Sequence, residues 1–177
     1  MRDLLLLRHA KAAPGGPGVA DRDRPLTPRG RRDAALVGAA IAADEMVPDL
    51  VLCSPARRTR ETLDAVLASL APAPRVIVLD SLYGAAHGDY VGAIAEAGGH
   101  AKRLLVVGHN PTIHATALTL AGSGDKALRK RLLEKFPTAA LAHIRLKGDT
   151  WAGTLAGSGE LTSFLRPRDS ADGEAGD

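Results

Sequence analysis

Four short apolar runs recur along the chain, at residues 3–7, 50–53, 76–79 and 104–107. None alternates polar with apolar residues, the pattern of strands covered on both faces. Stretches with helical spacing lie between them, near residues 29–43, 56–70 and 90–97, and another follows at 112–121. This alternation predicts an α/β domain, a three-layer α/β/α sandwich with a mainly parallel central sheet. Residues 127–136, ALRKRLLEKF, read as a further helix. Leu128, Leu132 and Leu133 would face inward, with Arg129, Lys130, Arg131 and Lys135 in solvent. Beyond it, ALAHIRLKGDTWAGTLAG reads as a C-terminal antiparallel hairpin with Lys147, Gly148 and Asp149 at its turn. One domain is expected over residues 1–165. Residues 166–177 carry no large apolar side chain and are expected to be disordered.

Composition narrows the class. The chain has 177 residues, 45% hydrophobic and 24% charged, ordinary values for a globular domain. Aromatics make up only 3%, so Leu, Val, Ile and Ala must fill the core. The single cysteine, Cys53, excludes an intrachain disulfide and reads as a buried, inert thiol. No apolar run reaches membrane-spanning length, and LLLL at 4–7 is too short for a signal peptide. No membrane association and a cytoplasmic location are expected. The net charge of +3 favours anionic partners. The basic residues lack the interleaved aromatics of a single-strand binder, so nucleic acid is not expected as a partner.

The apolar runs end in chemistry. The first runs into Arg8-His9, the second into Ser54-Pro55, and the fourth into Gly108-His109-Asn110. In open α/β sheets, ligands bind beyond the carboxyl ends of the strands. Thr27-Pro28, Ser54-Pro55 and Asn110-Pro111 each place a good N-cap residue before a proline, so each predicts a helix start with its anion-attracting N–H groups. Arg57, Arg58 and Arg60 oppose the dipole at one such start. Arg57 and Arg60 read as solvent-facing. Arg58 lies about one turn beyond Ser54 and can fold back over the helix start.

Arg8, His9, Arg58 and His109 would make a cationic pocket without a carboxylate at the strand ends. Adjacent arginines repel a metal ion, so neither metal nor cofactor is expected. Arginine forks match phosphate oxygens. One neutral histidine can attack phosphorus while the other, protonated, stabilises the transferring group. The loop at 12–20, AAPGGPGVA, lacks dinucleotide-binding spacing, and GSG at 157–159 does not satisfy a nucleophile elbow.

LLLLRHAKA, DRDRPLTPRGRRDA, LCSPARRTRETL and LLVVGHNPTI occur in that order, and EKFPTAALAHI follows. Together they resemble the histidine phosphatase superfamily, a phosphoglycerate mutase-like fold whose hallmark is R-H-G, and within it the small SixA-type phosphohistidine phosphatases. The resemblance implies a metal-independent phosphatase in which His9 is transiently phosphorylated. It implies that Arg8 and Arg58 are the two phosphate arginines and His109 the second histidine. Asn110 and Arg24 are added as substrate-binding candidates, with a salt bridge as the alternative for Arg24. Ala10 stands where the hallmark has glycine, as is usual in the SixA-like group. Larger members carry a glutamate general acid after the second helix, yet no glutamate lies between Glu61 and Glu96. Asp80, His87 and Asp89 are the candidate substitutes, each also readable as an ordinary loop or cap residue. The expected substrate is a phosphorylated protein bearing phosphohistidine. A small phosphorylated metabolite, or a non-enzymatic module binding phosphorylated partners, are the alternatives. His100, His114 and His143 read as solvated or structural.

Overall fold

The structure is a computed structural model that describes residues 1–84, 90–154 and 156–167. Its strands are β1 (Arg2–Arg8), β2 (Leu50–Cys53), β3 (Arg75–Val78), β4 (Arg103–Gly108), β5 (Ala121–Gly124), β6 (Leu141–Leu146) and β7 (Gly159–Leu165). The helices are α1 (Pro28–Ala43), α2 (Arg57–Leu67), α3 (Tyr90–Ala97), α4 (Thr112–Leu120) and α5 (Lys126–Glu134). All seven strands join one sheet in the order β3-β2-β4-β1-β6-β7-β5. β3, β2, β4 and β1 run parallel, β6 is antiparallel to β1 and to β7, and β5 is parallel to β7. The mainly parallel three-layer sandwich is therefore the fold.

The run of four leucines is explained by its position. Leu4 and Leu6 point into one core with Tyr90, Ile94, Ile113 and Leu120. Leu5 and Leu7 point into the other with Val37, Ile41, Leu63 and Val66. A strand buried on both faces needs apolar residues at every position, because its neighbours cover both sides. Fully burying each such side chain contributes about 1.5–3 kcal/mol.

Several local expectations change. β3 is the sheet edge and is largely exposed, with Val78 52% accessible. Its apolar sequence does not mean burial on both faces. β6 and β7 pair antiparallel as expected, but no tight turn at Lys147-Gly148-Asp149 joins them. A long connection over 147–158 intervenes, and Trp151 leaves the sheet to pack in the core, with its indole N–H donating to Ala101 O at 2.9 Å. β5 is an additional edge strand that its sequence, AGSG, does not announce. In α5, Leu132 is buried and Leu128 packs against the core, whereas Leu133 faces solvent. Cys53 is buried, and burial pushes its thiol up to about 12. Most of the C-terminal tail, 168–177, lies outside the described residues, as do His87 and Asp89.

α1 and α2 cover one face in close contact. A Cβ on Gly38 would lie 2.6 Å from Val66 O and 2.9 Å from its Cα. Backbone cannot yield as a flexible side chain can, so the two helices would have to separate. Gly38→Ala should therefore lower stability by about 1–3 kcal/mol despite alanine's better helix propensity. At about 2–4 °C per kcal/mol for a domain of this size, a thermal melt should show a clear drop in Tm, and an unchanged or raised Tm would contradict the close packing.

Candidate active site

The parallel register brings three strand ends together. Arg8 pairs with Gly108, and Cys53 with Val107. His9 N–H donates to Gly108 O and Ser54 N–H to Val107 O, both at 3.0 Å. Arg8-His9, Ser54 and His109 thus share one edge of the sheet.

His9 lies beside His109, with ring centroids 5.2 Å apart and planes tilted by 57°. Its Nδ1 is 2.8 Å from Ala10 O. A carbonyl can only accept, so Nδ1 carries the proton and Nε2 keeps its lone pair. Burial pushes the His9 pKa down to about 3, aided by the charges of His109, Arg58 and Arg8 and opposed by the bond to Ala10. The imidazole is therefore neutral near pH 7.

His109 Nε2 sits 2.7 Å from Ser54 Oγ, and its backbone N–H donates to Tyr90 Oη at 3.1 Å. Tyr90 Oη donates in turn to Leu82 O at 2.9 Å. A Cβ on Gly108 would lie 2.6 Å from the Tyr90 ring, so only glycine lets this tyrosine reach the turn. Burial and the nearby Arg58 lower His109 to about 4, and Asp21 partly opposes them. In the free site His109 is thus neutral, because desolvation and a neighbouring guanidinium both disfavour its charge.

Arg8 Nη1 and Asn110 Nδ2 both donate to Phe136 O at 2.9 Å. Phe136 is buried, and the His114 ring packs beside it while His114 Nε2 meets Leu132 O at 2.7 Å. Ala139 N–H reaches the carbonyls of Arg8 and His9 at 3.2 Å from a left-handed φ of 59°. The EKFPTAA segment is thereby the back wall of the site. Burial lowers the Arg8 pKa as well. Arg8 Nε, His109 Nδ1 and Asn110 Oδ1 are buried without a hydrogen-bond partner among the described residues.

Arg58 is buried at the start of α2. Thr62 Oγ1 donates to Arg58 O at 2.6 Å and accepts from Ala10 N–H at 2.9 Å, tying this turn to the segment after β1. The guanidinium donates through Nη1 to Asp21 O at 2.7 Å and through Nη2 to Asp21 Oδ2 at 3.0 Å. Asp21 is the site-side residue that sequence reasoning missed. It sits in a short 3-10 turn, Asp21–Asp23, far from any strand end in sequence. The D-x-x-R-P-L pattern was the one available signal, and it drew attention to Arg24 instead.

Arg24 Nη1 pairs with Asp21 Oδ1 and its Nε with Ala13 O, both at 2.9 Å, so the salt-bridge reading describes it. Ser54 and Asn110 do not cap helices. α2 begins at Arg57 after Ala56, and α4 at Thr112 after Pro111, with no side-chain cap at either. Of the three residues before a proline, only Thr27 caps, accepting from Gly30 N–H at 3.0 Å. The two freed side chains serve the site instead, one on His109 and one on Phe136 O. Arg57 and Arg60 are exposed, Arg57 pairing with Glu61 at 2.7 Å. Asp80 is 88% accessible and meets Arg22 at 3.3 Å. His143 is held by Asp3 at 2.7 Å and His100 is exposed, both away from these strand ends. Among the described residues, no three His, Cys, Asp or Glu side chains gather as a metal-holding group, and no helix is long and apolar enough to cross a membrane.

Comparison with known proteins bears on the family and the fold. A protein of Mycobacterium tuberculosis with no characterised function is 45% identical over 164 residues, covering 92% of this chain and all of its own. A solved structure assigned as the phosphohistidine phosphatase SixA of Nakamurella multipartitia superposes with a TM-score of 0.79 at 33% identity, over 94% of this chain and 96% of that one. The corresponding assignment from Agrobacterium tumefaciens gives 0.77 at 30% identity, over 94% and 98%. The model of the histidine phosphatase superfamily, branch 1, matches residues 4–99, which include Arg8, His9, Asp21 and Arg58. That match spans more than half of the chain, and the protein is a phosphatase belonging to the histidine phosphatase superfamily.

Proposed function

We propose that this phosphatase is of the SixA type and hydrolyses phosphohistidine in proteins, through transfer of the phosphoryl group to His9 Nε2. The observation that carries the reading is the 2.8 Å contact between His9 Nδ1 and Ala10 O, which leaves Nε2 as an unprotonated nucleophile. The positive charges of Arg58 and Arg8 both act on this imidazole, and the partnerless Arg8 Nε is a buried donor that a phosphoryl oxygen would satisfy.

In the first step, the Nε2 lone pair bonds to phosphorus as the phosphorus–leaving-group bond breaks. Two guanidinium groups offset the charge on the equatorial oxygens. The electron pair of the broken bond departs with the leaving group. In the second step, water attacks the phosphorus of phospho-His9: a P–O bond forms as the P–Nε2 bond breaks, the electron pair returns to the imidazole, and the water's proton passes to a phosphate oxygen. A dianionic phosphoryl group beside His109 would draw its pKa upward from about 4, so that it can donate to that group.

The leaving group decides the substrate class. An alkoxide needs a positioned proton donor. Asp21 cannot be one, since bonds from Arg24 above all, and from Arg58 and Tyr83, hold its carboxyl at about 2. Asp80 is exposed and paired with Arg22. Phosphohistidine needs no donor: its far ring nitrogen is already protonated near neutral pH, so the imidazole leaves as a neutral ring.

Three outcomes follow from this chemistry. Rapid quench with labelled substrate should trap an acid-labile, alkali-stable phosphoenzyme in the wild type and none in His9→Ala, whose turnover should fall by more than about 10³-fold. Wild-type turnover in His9→Ala would refute the nucleophile. Because the free-enzyme imidazoles are depressed to about 3 and 4, they gain protons only in acid. The acid limb of kcat/KM, corrected for the substrate's own phosphate ionisation, should therefore lie below pH 5. A limb near 6.5 would mean that His9 is not desolvated. Across a substrate panel, kcat/KM should be highest for a phosphohistidine peptide, lower for aryl phosphates and lowest for alkyl phosphates. Equal rates for alkyl phosphate and phosphohistidine would favour a small-molecule phosphomonoesterase.

A further inference from the structure

Asp21 places a carboxylate where a phosphatase needs positive charge. It belongs to the turn Asp21–Asp23, yet four bonds tie it to three other points. Arg58 gives it two, one to the backbone carbonyl and one to Oδ2, at 2.7 and 3.0 Å. Arg24 Nη1 donates to Oδ1 at 2.9 Å, and Tyr83 Oη to Oδ2 at 3.1 Å. Tyr83 in turn leans edge-on against His109, with ring centroids 5.8 Å apart. The Arg22 guanidinium lies over the Tyr83 ring, 5.6 Å from its centroid. Asp21 is thus joined to both Arg58 and the wall beside the second histidine.

The asymmetry of the Arg58–Asp21 pair is informative. The Arg58 side chain is 9% accessible and that of Asp21 56%. A guanidinium buried this far needs a partner, and Asp21 provides two acceptors for it. Arginine has five N–H donors, so two held at one edge leave three for an anion. The same carboxylate cancels part of the positive charge an anion would meet.

We infer that Asp21 is a positioning residue that acts through Arg58: it anchors the outer edge of the guanidinium and weakens the pocket's hold on inorganic phosphate, so that the product leaves. Arg24 and Tyr83 fix the carboxylate in that place. A hydrolase must release the anion its arginines are built to bind, and uniform tightening of substrate and product does not raise kcat. The inference rests on Arg58 being a phosphate ligand.

The test is product inhibition by inorganic phosphate in a double-mutant cycle over Asp21 and Arg58 in the full chain. Asp21→Asn keeps an acceptor for Arg58 and removes the charge. Its Ki for phosphate should fall by roughly 2- to 5-fold, the size expected for a half-exposed charge pair. KM should fall in step, with no gain in kcat. Arg58→Ala should raise Ki at least tenfold, and adding Asp21→Asn to it should change Ki by less than twofold. Melting curves check folding, and Asp21→Ser, which also removes the charge, should move Ki in the same direction. An unchanged or higher Ki in Asp21→Asn, with Arg58→Ala still weakening phosphate, overturns the inference and leaves the proposed function standing. Tightening that persists without Arg58 also overturns it. An unchanged Ki in Arg58→Ala removes the phosphate role of Arg58, and the inference with it.

Discussion

The in-register parallel pairing of β1 with β4 is the constraint on which the site depends. It sets Arg8 against Gly108, so the two residues that follow, His9 and His109, emerge side by side. β2 joins the same register through Cys53 and Val107 and delivers Ser54 to His109. That pairing is held by burial on both faces, with leucines alternating into two separate cores. A slip of one residue would exchange the cores and turn both histidines away.

Once the strand ends are fixed, the chemistry is governed by desolvation. His9 and His109 are partly buried and feel the charges of Arg58 and Arg8, so in the free site both are neutral bases rather than cations. Neutrality is what a nucleophilic imidazole requires. The Ala10 carbonyl selects the tautomer. Cationic charge is supplied instead by arginines, which stay protonated under the same burial.

Arginine in such a place must itself be held. Arg8 leans on Phe136 O, Arg58 on Asp21. These supports come from segments remote in sequence, one after α5 and one in the turn before α1. The site is therefore a product of the whole sandwich, although its reacting atoms lie at three strand ends.

Much of this was legible in the chain. The unbroken apolar runs determined the strands, because a doubly covered strand admits no polar position. Arg8-His9 and Gly108-His109 at their ends determined which residues would meet, because parallel strands share one carboxyl edge. Tertiary structure decided the rest. Val76 and Val78 look as apolar as Val51, yet β3 is an exposed edge, since strand order is not a local property. Ser54 and Asn110 carry cap chemistry, yet their side chains are drawn to His109 and Phe136 O, which offer partners that no local sequence encodes. Leu133 has the helical spacing of a core residue but no neighbour to cover it. Asp21 lies 37 positions from Arg58, and only the folded chain brings a carboxylate to that guanidinium. Local periodicity determines which elements form and which side chains end them; long-range packing decides which of those side chains find partners, and hence their charge.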